Sequence, residues 1–163
     1  MLKLRKNKKG FTLVELIVVI AIMAVLAGTV AGVTVTQLNK QTDKTMATEA
    51  KGIADFISTW IVENNVDLSG ASTLDDVSYK DGDTVVKLMD DLQKQYTSNK
   101  VAATATPDAG GPIGVSFDAT DTENKVIKVS YVGKQGSNKG DVTYTVNKEG
   151  VVAKGTAPAG NQG

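Results

Sequence analysis

Lys9-Gly10-Phe11-Thr12-Leu13-Val14-Glu15 joins a basic leader to a long apolar run through a single glycine and sets one carboxylate four residues inside that run. A glutamate in a segment apolar enough to enter a bilayer costs about 2 to 3.5 kcal/mol on insertion scales, so it asks for a partner in the same medium. From Phe11 to Val35 nearly every residue is apolar or small, and after Glu15 the next formal charge is Lys40. At the standard helical rise about 25 residues reach roughly 37 Å, more than the roughly 30 Å hydrocarbon core of a bilayer. Lys3, Arg5, Lys6, Lys8 and Lys9 precede the run. A positive flank stays on the cytoplasmic side and sends everything after Val35 outward. Two ordinary readings compete with a special one. Val25-Leu26-Ala27 before Gly28 suits cleavage of a secretory signal peptide, and an uncleaved signal anchor has the same hydropathy. Neither accounts for Glu15 or for its place after Gly10-Phe11.

The residues that account for both resemble the N-terminus of a type IV prepilin with a class III leader: glycine, phenylalanine, then Thr-Leu-Val-Glu or a close relative. The resemblance extends to about Lys40 and is specific to the type IV filament superfamily rather than to one member. It implies that a prepilin peptidase cuts between Gly10 and Phe11 and N-methylates the new amine of Phe11. It implies further that Glu15 meets that amine on a neighbouring subunit and sets the register of assembly. The implied product is the structural subunit of a type IV pilus, a homopolymer built through its hydrophobic N-terminal helix into an extracellular fibre for twitching motility, adhesion or biofilm formation. Its partners would be other pilin subunits, the prepilin peptidase, the pilus assembly platform and ATPases, and the cytoplasmic membrane before assembly. A pseudopilin of a type II secretion or competence/DNA-uptake system would share the leader. From a different class, a membrane-anchored extracellular binding module would share the anchor alone.

The physics of the Phe11–Glu15 pair stands without the family. A buried carboxylate and a buried ammonium are each costly in lipid, attract strongly at low dielectric, and leave a stranded charge when one is removed. Such a pair specifies register better than it stabilises.

Composition favours a surface polymer over an enzyme. With neither Cys nor His in 163 residues, thiol nucleophiles, Ser-His-Asp triads, disulfides and the commonest metal ligands are all excluded. No cofactor is expected. The 18 positive and 18 negative side chains balance, but the leader holds five positives and no acid, so cutting after Gly10 leaves 13 against 18, a net charge of −5. That sign is unsuited to direct nucleic-acid binding. Many Gram-negative type IV pilins close a C-terminal loop with a disulfide, so by that resemblance a cysteine-free chain points to a Gram-positive source, while its length and sizeable C-terminal domain favour a true, major pilin over a pseudopilin.

The expected fold is α+β: a long N-terminal helix, with a membrane-spanning half and an amphipathic half, packed against a small antiparallel β-meander in the manner of a pilin. Ala50, Ile53, Ile57, Trp60 and Ile61 recur at helical spacing, which predicts one helix from Thr12 to Asn64, on the order of 80 Å long. The predicted organisation is leader 1–10, transmembrane and assembly helix 11–35, and extracellular globular domain 36–163 including the C-terminal half of the helix. Gly28 and Gly32 lie in a Thr- and Val-rich stretch of weak helix propensity that could melt in a filament. Equally, they allow close helix packing in lipid. Many pilins have proline at the positions of Gly32 and Gly52, and its absence predicts a straighter helix.

Asp83 is expected to cap a second helix with Val85, Leu88, Met89, Leu92 and Tyr96 on its apolar face, followed by an exposed loop over 97–112. Three strands follow by alternation: Ile113, Val115 and Phe117; Ile127, Val129 and Tyr131; Val142, Tyr144 and Val146. Val151 to Ala153 adds a short edge strand, and Gly155 to Gly163 reads as a flexible tail. Asp118, Asp121 and Glu123 are weak calcium candidates that read more simply as a solvated turn. Asp75, Asp76, Asp81, Asp83, Asp90 and Asp91 favour helix starts and are assigned no ligand. Trp60 reads as core, and Gly110-Gly111 lacks the context of a phosphate loop.

Overall fold

The computed structural model describes residues 10–97, 100–108, 110–134 and 142–155, with backbone alone for 30–32 and 142–143. The chain divides into two compact units, residues 1–38 and 39–163. Helix α1, Leu13–Glu63, contributes to both and runs through Gly28 and Gly32 without a break. The bounds predicted from the apolar stripe are met to within one residue at each end. Its C-terminus is set by Asn65, which adopts φ +49; Val66 N–H donates to the Ile61 carbonyl (3.0 Å) and Asn65 N–H to that of Val62 (3.4 Å). These are the bonds of a Schellman cap, with asparagine in the left-handed position that glycine more often fills.

In the second unit α1 buries Met46, Ala50, Ile53, Ala54, Ile57, Trp60 and Ile61. They meet one face of a five-stranded sheet ordered β3-β4-β5-β6-β7, made of Val101–Ala102, Ile113–Asp118, Val126–Tyr131, Val142–Asn147 and Val152–Lys154. Strands β4 to β7 form the expected antiparallel meander, with Val115 opposite Val129 and Val129 opposite Tyr144. Ile113, Val115, Ile127, Val129, Tyr131, Tyr144 and Val146 are buried, as alternation requires of a sheet with one covered face. The fold is α+β, a long N-terminal helix followed by small sheets, consistent with a pilin-like architecture.

Three expectations fail. Asp83 caps no helix: Gly82 and Asp83 form the two-residue turn of a hairpin between β1, Ser78–Asp81, and β2, Thr84–Lys87. Gly82 takes φ +59 there, and Thr84, Val85 and Val86 are β-branched residues that favour the extended state. Val85 is therefore a strand residue, 54% exposed, and helix α2 begins only at Leu88, running Leu88–Gln95. Before the hairpin, Leu74–Asp76 forms a 3-10 turn, with Asp76 accepting from Thr73 N–H (2.8 Å), Thr73 Oγ1–H (2.9 Å) and Ser72 N–H (3.0 Å).

The third failure concerns 97–112. Val101 and Pro107 are buried, and β3 pairs in parallel with β4, so the sheet is mixed. The connection crosses the outer face of the sheet at Gly114, where an added Cβ would lie 2.4 Å from the Thr104 carbonyl oxygen and 3.2 Å from Pro107. Ser130, cross-strand from Gly114, is buried there too. A glycine in a strand interior marks such a close backbone approach.

Candidate functional site

The site is the start of α1. Gly10 and Phe11 precede the helix and are exposed, Phe11 at 91%. Thr12 occupies the N-cap position and Glu15 lies three residues on. Thr12 N–H donates to Glu15 Oε2 (2.8 Å), Thr12 Oγ1–H donates to the same oxygen (2.9 Å), and Glu15 N–H donates to Thr12 Oγ1 (3.3 Å). This is a reciprocal capping box, in which two otherwise unsatisfied amides at the helix start gain partners. A carboxylate in the first turn also opposes the positive end of the helix dipole. Among the described residues no hydrogen bond reaches Glu15 Oε1, so one carboxylate oxygen is committed to the cap and the other faces outward. Thr12 was missed as a site residue, although Thr-x-x-Glu ahead of an apolar run is the sequence signature of this cap.

Behind the cap, the apolar side chains from Leu13 to Leu26 and again at Val33, Val35 and Leu38 are exposed all round the helix. The helix is long and apolar enough to cross a membrane. At Gly28 nothing lies within 4 Å of where a Cβ would sit, so this glycine opens a gap in an already exposed surface. Lys3, Arg5, Lys6, Lys8 and Lys9, the leader charges, lie outside the described residues, as does most of the predicted tail, and Gly32 is described by its helical backbone alone.

Two of the three weak calcium candidates, Asp118 and Asp121, have protein partners, while Glu123 contributes its backbone N–H. Asp118 is ion-paired with Lys128 across β4 and β5 and accepts from Thr120 Oγ1–H and, at 3.0 Å, Thr120 N–H; these contacts hold its carboxyl well below the usual range. Asp121 accepts from Asn124 Nδ2 (3.1 Å), Glu123 N–H (2.9 Å) and Asn124 N–H (3.1 Å), which lower its pKa in that order of side-chain before backbone. Among the described residues no three carboxylates come together as a metal-binding group.

Trp60 is core, as expected, but with a polar tie: its indole N–H donates to Asp91 Oδ2 (3.0 Å), while Lys94 Nζ reaches Asp91 Oδ1 (2.9 Å). Its ring meets Tyr79 of β1 edge-on at 5.3 Å. Gly52 gives room for the Tyr96 hydroxyl, 3.6 Å from where its Cβ would be.

No curated protein and no solved structure matches the chain. Residues 5–31 match the family model described as the prokaryotic N-terminal methylation motif. The basic leader, the capped Glu15 and the apolar helix behind it thus make this chain a carrier of the class III leader found in type IV pilin and pseudopilin precursors.

Proposed function

We propose that the chain is the structural subunit of a type IV pilus and not an enzyme. The observation that carries this reading is the capping carboxylate at the head of a helix whose apolar side chains from Leu13 to Leu26 are exposed, within the N-terminal methylation motif. In this reading a prepilin peptidase cuts after Gly10 on the cytoplasmic face and methylates the amine of Phe11. The new ammonium then lies next to the positive end of the α1 dipole, an unfavourable place for a cation. A carboxylate offsets it. Oε2 of Glu15 is held by Thr12, and Oε1 accepts the ammonium of the neighbouring subunit, so each addition is positioned along the fibre axis by one ion pair. Lipid surrounds the apolar helix before assembly, and the helices of other subunits replace that lipid afterwards. An assembly platform and ATPases supply the work, and twitching, adhesion or biofilm formation follows from the fibre, which lies outside the cell.

Mass spectrometry of the N-terminus of protein sheared from cells tests the reading. A peptide beginning at methylated Phe11 in sheared fibres supports it. A peptide beginning at Gly28 replaces it with a secreted protein, and a methylated chain that stays with the membrane replaces the pilus with a pseudopilin. Glu15→Gln should be inserted and cleaved but fail to enter fibres; normal fibres from that variant, seen by microscopy, would remove Glu15 from assembly.

A further inference from the structure

We propose that Lys40 and Lys44 form a cationic collar that binds the phosphates of anionic phospholipids in the outer leaflet while the chain is still anchored in the membrane. The proposal rests on the reading that the apolar part of α1 spans the bilayer with the residues after Val35 outside. Between Val35 and Ala50 the helix carries four charged side chains: Lys40, Asp43, Lys44 and Glu49. The two acids are turned to the domain. Asp43 Oδ1 accepts the Lys134 N–H (2.7 Å), and its carboxylate packs where a Cβ on Gly133 would sit. Glu49 Oε1 pairs with Lys100 Nζ at 2.5 Å.

Lys40 and Lys44 are treated differently. Both are exposed, and among the described residues neither joins an ion pair. Four residues apart, they share one helix face, where like charges repel by a few tenths of a kcal/mol in the absence of an anion. Directing both acids inward therefore leaves a local positive charge on a chain whose mature net charge is −5.

The position along α1 fits a headgroup layer. Lys40 lies five residues beyond Val35, about 7 Å at the helical rise and within a headgroup region roughly 5–8 Å deep, whereas the backbone of Lys44, nine residues on at about 13 Å, lies outside that layer and reaches it only through its long side chain. Side chains of a helix lean towards its N-terminus, so both lysines lean back towards the bilayer. A lysine stem can lie on apolar surface while its ammonium stays at the interface.

The full chain in phosphatidylcholine vesicles, with and without a phosphatidylglycerol minority, is treated with an uncharged amine-acylating reagent, and each lysine is read by peptide mass spectrometry. Phosphatidylglycerol should slow acylation of Lys40 and Lys44 by about fivefold each, the effect of one lysine at an anionic surface, and salt should reverse it. Lys80, Lys87 and Lys94 should be unaffected. Equal slowing of every lysine would reduce the effect to a diffuse surface potential and overturn the proposal. Protection in pure phosphatidylcholine that grows with protein density would assign the collar to carboxylates of a second copy. Protection by added inorganic phosphate would assign it to free anions. A chain that does not float with the vesicles would remove the membrane reading itself, a separate failure.

Discussion

Asp91 accepts the only indole N–H in the protein, and replacing it separates a hydrogen bond from a charge. Trp60 is 5% exposed, so Asp91→Ala leaves its N–H buried without a partner, at a cost of about 1 to 3 kcal/mol. The Lys94 side chain is 73% exposed, so its pair with Asp91 contributes at most about 1 kcal/mol. Asp91→Asn keeps an acceptor for the indole and loses only that pair. The prediction is a loss of about 2 kcal/mol for alanine and under about 1 kcal/mol for asparagine. With an m-value near 2 kcal/mol per molar urea, the alanine midpoint falls by about 1 M. The assay is equilibrium urea unfolding of the full chain in detergent micelles, followed by Trp60 fluorescence and by circular dichroism. A double variant with Trp60→Phe, read by circular dichroism, should recover much of the coupling, since the stranded donor is gone. Equal losses for alanine and asparagine would refute the reasoning and place the effect in the charge. An alanine variant as stable as the parent would remove the indole bond from the stability of the fold.

Gly114→Ala places a Cβ 2.4 Å from the Thr104 carbonyl and should cost about 1 to 3 kcal/mol by overpacking, measured by the same unfolding curves; an unchanged midpoint would mean that the 103–112 connection does not press on β4. Asp118, Asp91, Asp76 and Asp67 all have carboxyls held below their ordinary values, by Lys128, by Lys94 with Trp60, by the Ser72 and Thr73 amides, and by Ser69 respectively. Their folded pKa values are depressed, so the stability they contribute is complete above the unfolded value near 4 and is lost as pH falls through the lower folded values. Urea midpoints should therefore be level from about pH 5 upward and fall below about pH 4, and a midpoint that rises in acid would contradict the assignment. Thr12→Ala keeps the Thr12 N–H bond to Glu15 Oε2 but removes both bonds of the hydroxyl, to Glu15 Oε2 and from Glu15 N–H, and should speed hydrogen exchange of the Leu13 to Glu15 amides in micelles by about fivefold, the worth of one cap, with Thr12→Ser close to the parent. Equal exchange in parent and alanine variant would mean that Thr12 does not cap α1.

The N-terminal methylation motif and the length of α1 were legible because each rests on local order: charge before an apolar run with a carboxylate inside it, and apolar residues at helical spacing. The three meander strands were legible for the same reason, since alternation alone decides which side chains face a core. The β1–β2 hairpin was misread because Val85, Leu88, Met89 and Leu92 also fit a helical face, and the positive φ of Gly82 and the β-branched run after Asp83 outweighed that spacing. The 97–112 segment was misread because its composition is that of a loop, whereas its placement depends on folding back over the bare face that Gly114 gives to the next strand. The partners of Trp60, Asp43 and Glu49 likewise lie 31, 91 and 51 residues away along the chain. The sequence by itself determined the class III leader, the exposed apolar helix and the order of the meander, because those are set by neighbours along the chain. Only the tertiary structure decided which acids turn inward, which of the described lysines join no ion pair and which glycine must stay bare, because those depend on residues brought together across the fold.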